Sequence, residues 1–212
     1  MSTTIHVLLG YKKPRLYVAL YALEGALRDS SSSGPPDYYW AFIVAPKDSP
    51  KDQKCIRYRI KKIEEREQLD PHKGDLKMVL WDYENCFVPF GRHDDIVARV
   101  LIAKLEDSEA VEEHMQLAWP EKTMHVKKSG QARTSKDWAQ RVLEGLGGFS
   151  RSSGGVKYMV SGKVADWATI ESCCTSFANK VAVEGASLEA VPTFDLLKNQ
   201  EVLEYFSKNP KR

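Results

Sequence analysis

Cys86 is followed seven residues later by His93-Asp94-Asp95, a thiol and an imidazole near enough in sequence to suggest thiol catalysis. Such chemistry needs a base that holds the sulfur as thiolate. Sequence proximity does not guarantee contact, and His-Asp-Asp also suits an ordinary polar turn. Gly155-Val-Lys-Tyr-Met-Val-Ser-Gly162-Lys163 suggests a phosphate loop, but six residues separate its glycines and Val164 follows its lysine. The backbone cradle needs a spacing of four and a hydroxyl residue after the lysine, so that reading is excluded. Cys173-Cys174 falls in a helical pattern, where cysteine behaves as a small buried hydrophobe. His6, His72, His114 and His125 are scattered without metal-ligand spacing, and no C-x-x-C occurs, so neither a zinc site nor a redox motif is written here.

A longer-range set carries more. In order along the chain stand Leu16-Tyr-Val-Ala-Leu-Tyr21, Tyr39-Trp-Ala-Phe-Ile-Val-Ala-Pro-Lys47, Arg57-Tyr-Arg59, Trp81-Asp-Tyr83, Ala98-Arg-Val-Leu-Ile-Ala-Lys104 and Ser135-Lys-Asp-Trp138. Together they resemble an uncharacterised family of small fungal proteins. Its members show His-Trp-Ala-Leu on one strand, a second His on the next, an Arg-Val-x-Ile-x-Lys strand, and Cys-x-x-Trp opening a helix. That pattern is similar in turn to the permuted papain-like fold of the lecithin:retinol acyltransferase relatives, where a thiolate attacks an acyl carbonyl. The resemblance spans roughly residues 15 to 147.

Carried across, the resemblance puts Tyr39 at the base histidine, Arg59 at the second histidine and Ser135 at the cysteine. A serine hydroxyl needs a base to act as nucleophile. Tyrosine and arginine, with side-chain pKa values of about 10 and above about 12, are not bases near neutral pH. The resemblance therefore implies a papain-like acyl-transfer scaffold whose Cys/His pair has been replaced, with altered acyl or aminoacyl transfer as the expected activity. Ser135 would be the nucleophile and Tyr39 a proton relay. Arg59, Arg133 and Lys136 would hold an anionic substrate, with Trp40 and Trp138 beside it, and neither metal nor cofactor is expected. Small fungal proteins that form cyclic dipeptides from charged transfer RNA are a precedent. The alternative is a non-catalytic binding or interaction module, in which Tyr39 is a strand aromatic, Arg59 an exposed strand charge and Ser135 a helix N-cap.

The elements that must position these residues follow from local pattern. Strands are expected at Thr4–Leu9, Leu16–Leu23, Tyr38–Ala45, Cys55–Lys61, Leu76–Trp81 and Ile96–Leu105. Arg28–Pro36 reads as a loop, and Lys61–Lys73 as charged and exposed. Asp107 caps a helix through about Ala118, Thr134 or Ser135 starts a second ending at Gly147-Gly148, and a third runs from about Asp166 to Val183. Phe149–Val164 reads as a Gly/Ser-rich connector and Leu196–Phe206 as a C-terminal helix. Strands first and helices second predict an α+β fold in one domain, with an antiparallel sheet over residues 4–105 packed against later helices. Trp40, Ala41, Ile43, Val100, Ile102, Trp138, Val142 and Leu146 are the expected core.

The 212 residues, 42% hydrophobic and 28% charged, describe an ordinary globular chain. The net charge of +2 selects no partner, but its distribution is uneven. Glu106, Asp107, Glu109, Glu112, Glu113 and Glu121 form an acidic block, whereas residues 122–163 hold nine Lys or Arg against Asp137 and Glu144, a net of +7. Such a field suits an anionic substrate or RNA, though a solvated basic face accounts for it as well. No apolar run approaches the roughly 20 residues of a membrane span and no secretory pattern opens the chain. The expected setting is the reducing cytoplasm.

Overall fold

The computed structural model describes residues 13–22, 37–47, 49–70, 74–91, 96–118, 123–127, 134–147, 149–152, 155–184 and 190–202. The expected strand at Thr4–Leu9, the loop at Arg28–Pro36 and the His93-Asp94-Asp95 turn lie outside them. The fold is α+β. Its main sheet has β1 (Arg15–Ala22), β2 (Tyr38–Ala45), β3 (Lys54–Asp70), β4 (Gly74–Pro89), β5 (Ile96–Leu105), β6 (Thr123–Lys127), β9 (Val160–Ser161), β10 (Thr193–Asp195) and β11 (Gln200–Glu201). Strand order is β11-β10-β5-β1-β2-β3-β4-β6, with β9 also pairing β5. Among the described residues, its pairings are antiparallel except β10 on β5. Among the described residues, three helices, α1 (Ser108–Leu117), α2 (Ser135–Gly145) and α3 (Trp167–Glu184), come from the second half of the chain.

The central strands are apolar without interruption because both faces of the sheet are covered. Alternation sends Leu16, Val18, Leu20, Trp40, Phe42 and Val44 into the main core with the helices, whose Val111, Trp138, Val142 and Ile170 meet them. The intervening Tyr17, Ala19, Tyr21, Ala41, Ile43 and Ala45 join Val88, Phe90 and Val191 in a second cluster on the opposite face. All eight residues expected in the core are buried, and Ala41 and Ile43 lie on this second face.

Each helix starts on a side-chain acceptor. Asp107 accepts from the Ala110 amide at 3.0 Å and Asp166 from Thr169 at 2.8 Å. Thr134 and Asp137 form a reciprocal capping box at α2.

One local expectation is extended and two are corrected. Residues 61–70, expected only to be charged and exposed, are the outer half of β3. They pair with β4 in a register from Lys54↔Pro89 to Asp70↔Gly74, with an irregularity between Lys62 and Glu64. The connector at 149–164 contains the hairpin β7 (Phe149–Ser152) and β8 (Gly155–Tyr158), then β9. In place of a helix from Leu196, β10 adds to the free edge of β5, a turn follows through Asn199 in the left-handed region (φ 53°), and β11 returns; residues 203–206 lie outside the described part. The sheet thus recruits strands from the second half as well as from the first.

Candidate functional site

Ser135 is the first residue of α2 and its neighbour Thr134 is the cap. The Thr134 hydroxyl accepts from the Asp137 amide at 3.4 Å, and the Thr134 amide donates to Asp137 Oδ2 at 2.6 Å. With the cap supplied by Thr134, the Ser135 hydroxyl turns to the sheet and accepts a hydrogen bond from the Trp40 amide at 3.0 Å. This fills a gap in the ladder. The β2–β3 register runs through Phe42↔Tyr58, Ile43↔Arg57 and Val44↔Ile56, and Trp40 lies two residues beyond its end. A buried amide there needs an acceptor. Ser135 is buried, and among the described residues no carboxylate or imidazole hydrogen-bonds to its Oγ.

A stability prediction follows from that geometry. Ser135→Ala orphans the Trp40 amide and should cost about 1–2 kcal/mol, measurable as a lower urea midpoint with an unchanged slope. An unchanged midpoint would mean the hydrogen bond holds nothing.

Tyr39 precedes Trp40, so its side chain leaves β2 on the other face, opposite Tyr21 of β1. Near the start of the strand it touches both apolar clusters. Its hydroxyl is buried and has no hydrogen-bond partner among the described residues. Burial raises the phenol well above its ordinary value; the charges of Arg59 and Arg57 oppose this and that of Glu84 adds to it. The group is a protonated donor near neutral pH and not a relay base.

Arg59 and Tyr39 share this neighbourhood. On β3 and β4, Arg59 Nε donates to Glu84 Oε1 at 2.8 Å, and Arg57 Nη2 donates to the same oxygen at 3.1 Å. Arg57 Nη2 also lies 3.4 Å from Cys86 Sγ, and its guanidinium sits 5.6 Å from the centre of the Tyr21 ring. Residues two apart on a strand share a face, which is how Arg57-x-Arg59 and Glu84-x-Cys86 meet. Arg57, which the sequence motif Arg57-Tyr-Arg59 includes, and Glu84 are not among the expected site residues; the alternation of charges on two neighbouring strands is the signal that points to them.

Desolvation of Glu84 opposes its ionisation, but the hydrogen bonds and charges of Arg59 and then Arg57 outweigh it and hold the carboxyl below its usual range. A depressed carboxylate contributes stability above its unfolded value, about 4.3, and loses it as pH falls through the folded value. Glu84→Gln should therefore cost about 1 kcal/mol at pH 7, with the gap from wild type closing toward pH 3 in urea titrations. A gap that ignores pH would show that the pairing is not ionic.

Of the remaining sequence candidates, the two tryptophans are buried. Trp40 is buried against Trp167, ring centres 5.4 Å apart, and Trp138 is sealed in the main core with its Nε1 donating to the Met115 carbonyl at 3.1 Å. Each indole is enclosed by helix and sheet. Lys136 pairs with Glu171 at 2.5 Å, and Arg133 lies outside the described residues. Cys86 is half-buried; desolvation and Glu84 push its thiol up while Arg57 opposes them, so it is not held as thiolate.

A groove of about 730 Å³ runs between α3 and the β10–β11 turn, lined by Thr169, Ser172, Cys173, Phe177, Phe194 and Lys180 among others. None of the sequence candidates lines it. Among the described residues no group of three or more His, Cys, Asp or Glu is arranged to hold a metal ion, and no helix is long and apolar enough to cross a membrane.

No curated protein and no solved structure matches this chain. A family profile does, over residues 13–203, a span that includes all three helices and every strand of the main sheet. The chain belongs to that family, a family of unknown function (DUF6914).

Proposed function

We propose that this chain is a non-catalytic binding module, built on a permuted papain-like scaffold whose nucleophile position has become a structural contact. The observation that carries this reading is the Ser135 hydroxyl, buried at the head of α2 and accepting from the Trp40 amide. Acyl transfer from a serine needs a proton acceptor on the hydroxyl. The residue nearest in sequence logic, Tyr39, is a buried phenol whose burial strengthens its hold on its proton. The side chains around Tyr39 instead form a fixed ionic lattice, Arg59–Glu84–Arg57, suited to holding a ligand in one orientation. Four cysteines without a disulfide support a reducing compartment as its setting.

The test is expression in a heterologous host with untargeted metabolite analysis, comparing wild type, Ser135→Ala and empty vector. The expected result is no product that depends on Ser135. A new metabolite made by the wild type and lost in Ser135→Ala would overturn the module and restore acyl transfer.

A further inference from the structure

The groove beside α3 is built from three kinds of side chain, and each limits what can enter it. Its α3 wall includes one helical stripe, Thr169, Cys173, Ser176 and Lys180, in which each residue follows the last by about one turn. Its floor is apolar. Phe177 and Phe194 meet with ring centres 5.6 Å apart, and Phe194 and Leu196 keep part of their surface uncovered. On the β10–β11 hairpin Phe194 stands opposite Glu201, and such cross-strand partners share a face. The Glu201 carboxylate therefore stands beside the aromatic floor, where Lys180 Nζ donates to it across the groove. The volume, about 730 Å³, is that of a site for a small molecule, commonly about 300–1,000 Å³.

Charge selects the ligand. The charged residues lining the groove are Lys180 and Glu201; desolvation pushes the Cys173 thiol up, so it stays neutral. Lys180 feels a second carboxylate as well. Its hydrogen bond to Glu201 raises the ammonium above its usual value, desolvation opposes this, and the charges of Glu184 and Glu201 add to it. Glu184 follows Lys180 by one helical turn on α3, the spacing of an i,i+4 ion pair. Lys198 in the adjoining turn is held by Asp195 at 3.6 Å and leaves the balance as it is. Among the described residues, then, one ammonium at this end of the groove answers two carboxylates. An arriving anion would crowd a third negative charge around one lysine. An arriving cation can take Glu201 while Lys180 turns to Glu184, so that no charge is left alone. The phenyl faces of the floor favour the same sign.

We propose that this groove binds a small amphipathic amine, its ammonium on the Glu201 carboxylate and its apolar body against Phe177, Phe194 and Leu196. The site is separate from Ser135 and from the Arg59–Glu84–Arg57 lattice, and so goes beyond the binding-module reading without resting on it.

The experiment is a titration of the full chain with phenethylamine in one arm and hydrocinnamate, a carboxylate on the same body, in the other. Binding is followed by isothermal calorimetry and by the thermal midpoint, with ionic strength matched by sodium chloride. The amine should saturate and raise the midpoint, and the carboxylate should not saturate over the same range. Glu201→Gln should weaken the amine about tenfold, as loss of a charge-assisted hydrogen bond requires. It should barely move the midpoint of the unliganded protein, because the Lys180 and Glu201 side chains are 44% and 40% exposed and such pairs hold little. Lys180→Met gives a change of opposite sign. It removes the present partner of Glu201 and should tighten the amine about two- to fivefold. An amine that never saturates, a carboxylate that binds as tightly, a Glu201→Gln protein that binds as wild type does, or a Lys180→Met protein that binds more weakly would each overturn the site. So would a dimer in sedimentation that Phe194→Ala dissociates, since the groove would then belong to a second copy. None of these results bears on Ser135, and a Ser135-dependent product would leave the groove as it is.

Discussion

Trp138→Ala should destabilise the fold by about 3–5 kcal/mol, the range for deleting a large aromatic from a packed core. Trp138 is fully buried, and its ring meets Phe42 edge-on at 5.3 Å and Tyr83 at 6.3 Å. Its Nε1 donates to the Met115 carbonyl, so one residue joins α2 to the sheet and to α1. Domains of this size are stable by only about 5–15 kcal/mol, so the variant should unfold at much lower denaturant and be partly unfolded when warmed. Trp138→Phe keeps the edge contact with Phe42 but strands the carbonyl, and should lose about 1–2 kcal/mol. Urea titrations of the three proteins check the order; a Phe variant as damaged as the Ala variant would show that the hydrogen bond outweighs the ring.

The second large effect is expected at Arg99, an arginine in the middle of β5 with no exposed surface. Its Nε donates to Thr193 Oγ1 at 2.7 Å and its Nη1 to the Phe90 carbonyl, while the guanidinium lies 3.4 Å from the centre of the Phe90 ring. It thereby ties β5 to β10 and to the residue that follows β4. Arg99→Ala leaves a void and two acceptors without this donor, and should cost about 3 kcal/mol or more. Arg99→Met refills most of the space and should recover part of that loss. If methionine were as harmful as alanine, the polar contacts and not the stem would be what holds β10 in place.

The contrast between Arg99 and Val100 shows what can be read without coordinates. Val100, Ile102 and the run Trp40–Val44 announce covered strands through unbroken apolar character, and the structure has β2 and β5 at the expected residues. Arg99 looks like an ordinary solvent-facing charge in the same run. Nothing local reveals that the second face of β5 is also enclosed and that Phe90 and Thr193 stand ready to receive a guanidinium. Lys61–Asp70 is opaque for a related reason. Its charges carry no apolar period, and it becomes strand only because β4 continues beside it residue for residue. Leu196, Leu203 and Phe206 stand seven and three residues apart in the sequence, a helix-like spacing, but the unused edge of β5 offers ladder hydrogen bonds to Thr193–Asp195, and the pairing wins over the local period.

The same division runs through the site. The start of α2 was legible from Thr134-x-x-Asp137, a capping pattern. The role of Ser135 was not, because it depends on where the β2–β3 ladder ends. Arg59 and Tyr39 were legible only through the resemblance, as the residues standing at its two histidine positions. Their company, Arg57, Glu84 and Cys86, required the cross-strand register.

The central claim is that Ser135 is a structural hydroxyl occupied by the Trp40 amide and not an activated nucleophile. A fluorophosphonate probe, which phosphonylates activated serines, tests it when the native protein is treated and its intact mass recorded beside that of Ser135→Ala. The account predicts no adduct at Ser135 under conditions that label a serine hydrolase to completion. A stoichiometric adduct present in the wild type and absent from Ser135→Ala would contradict it.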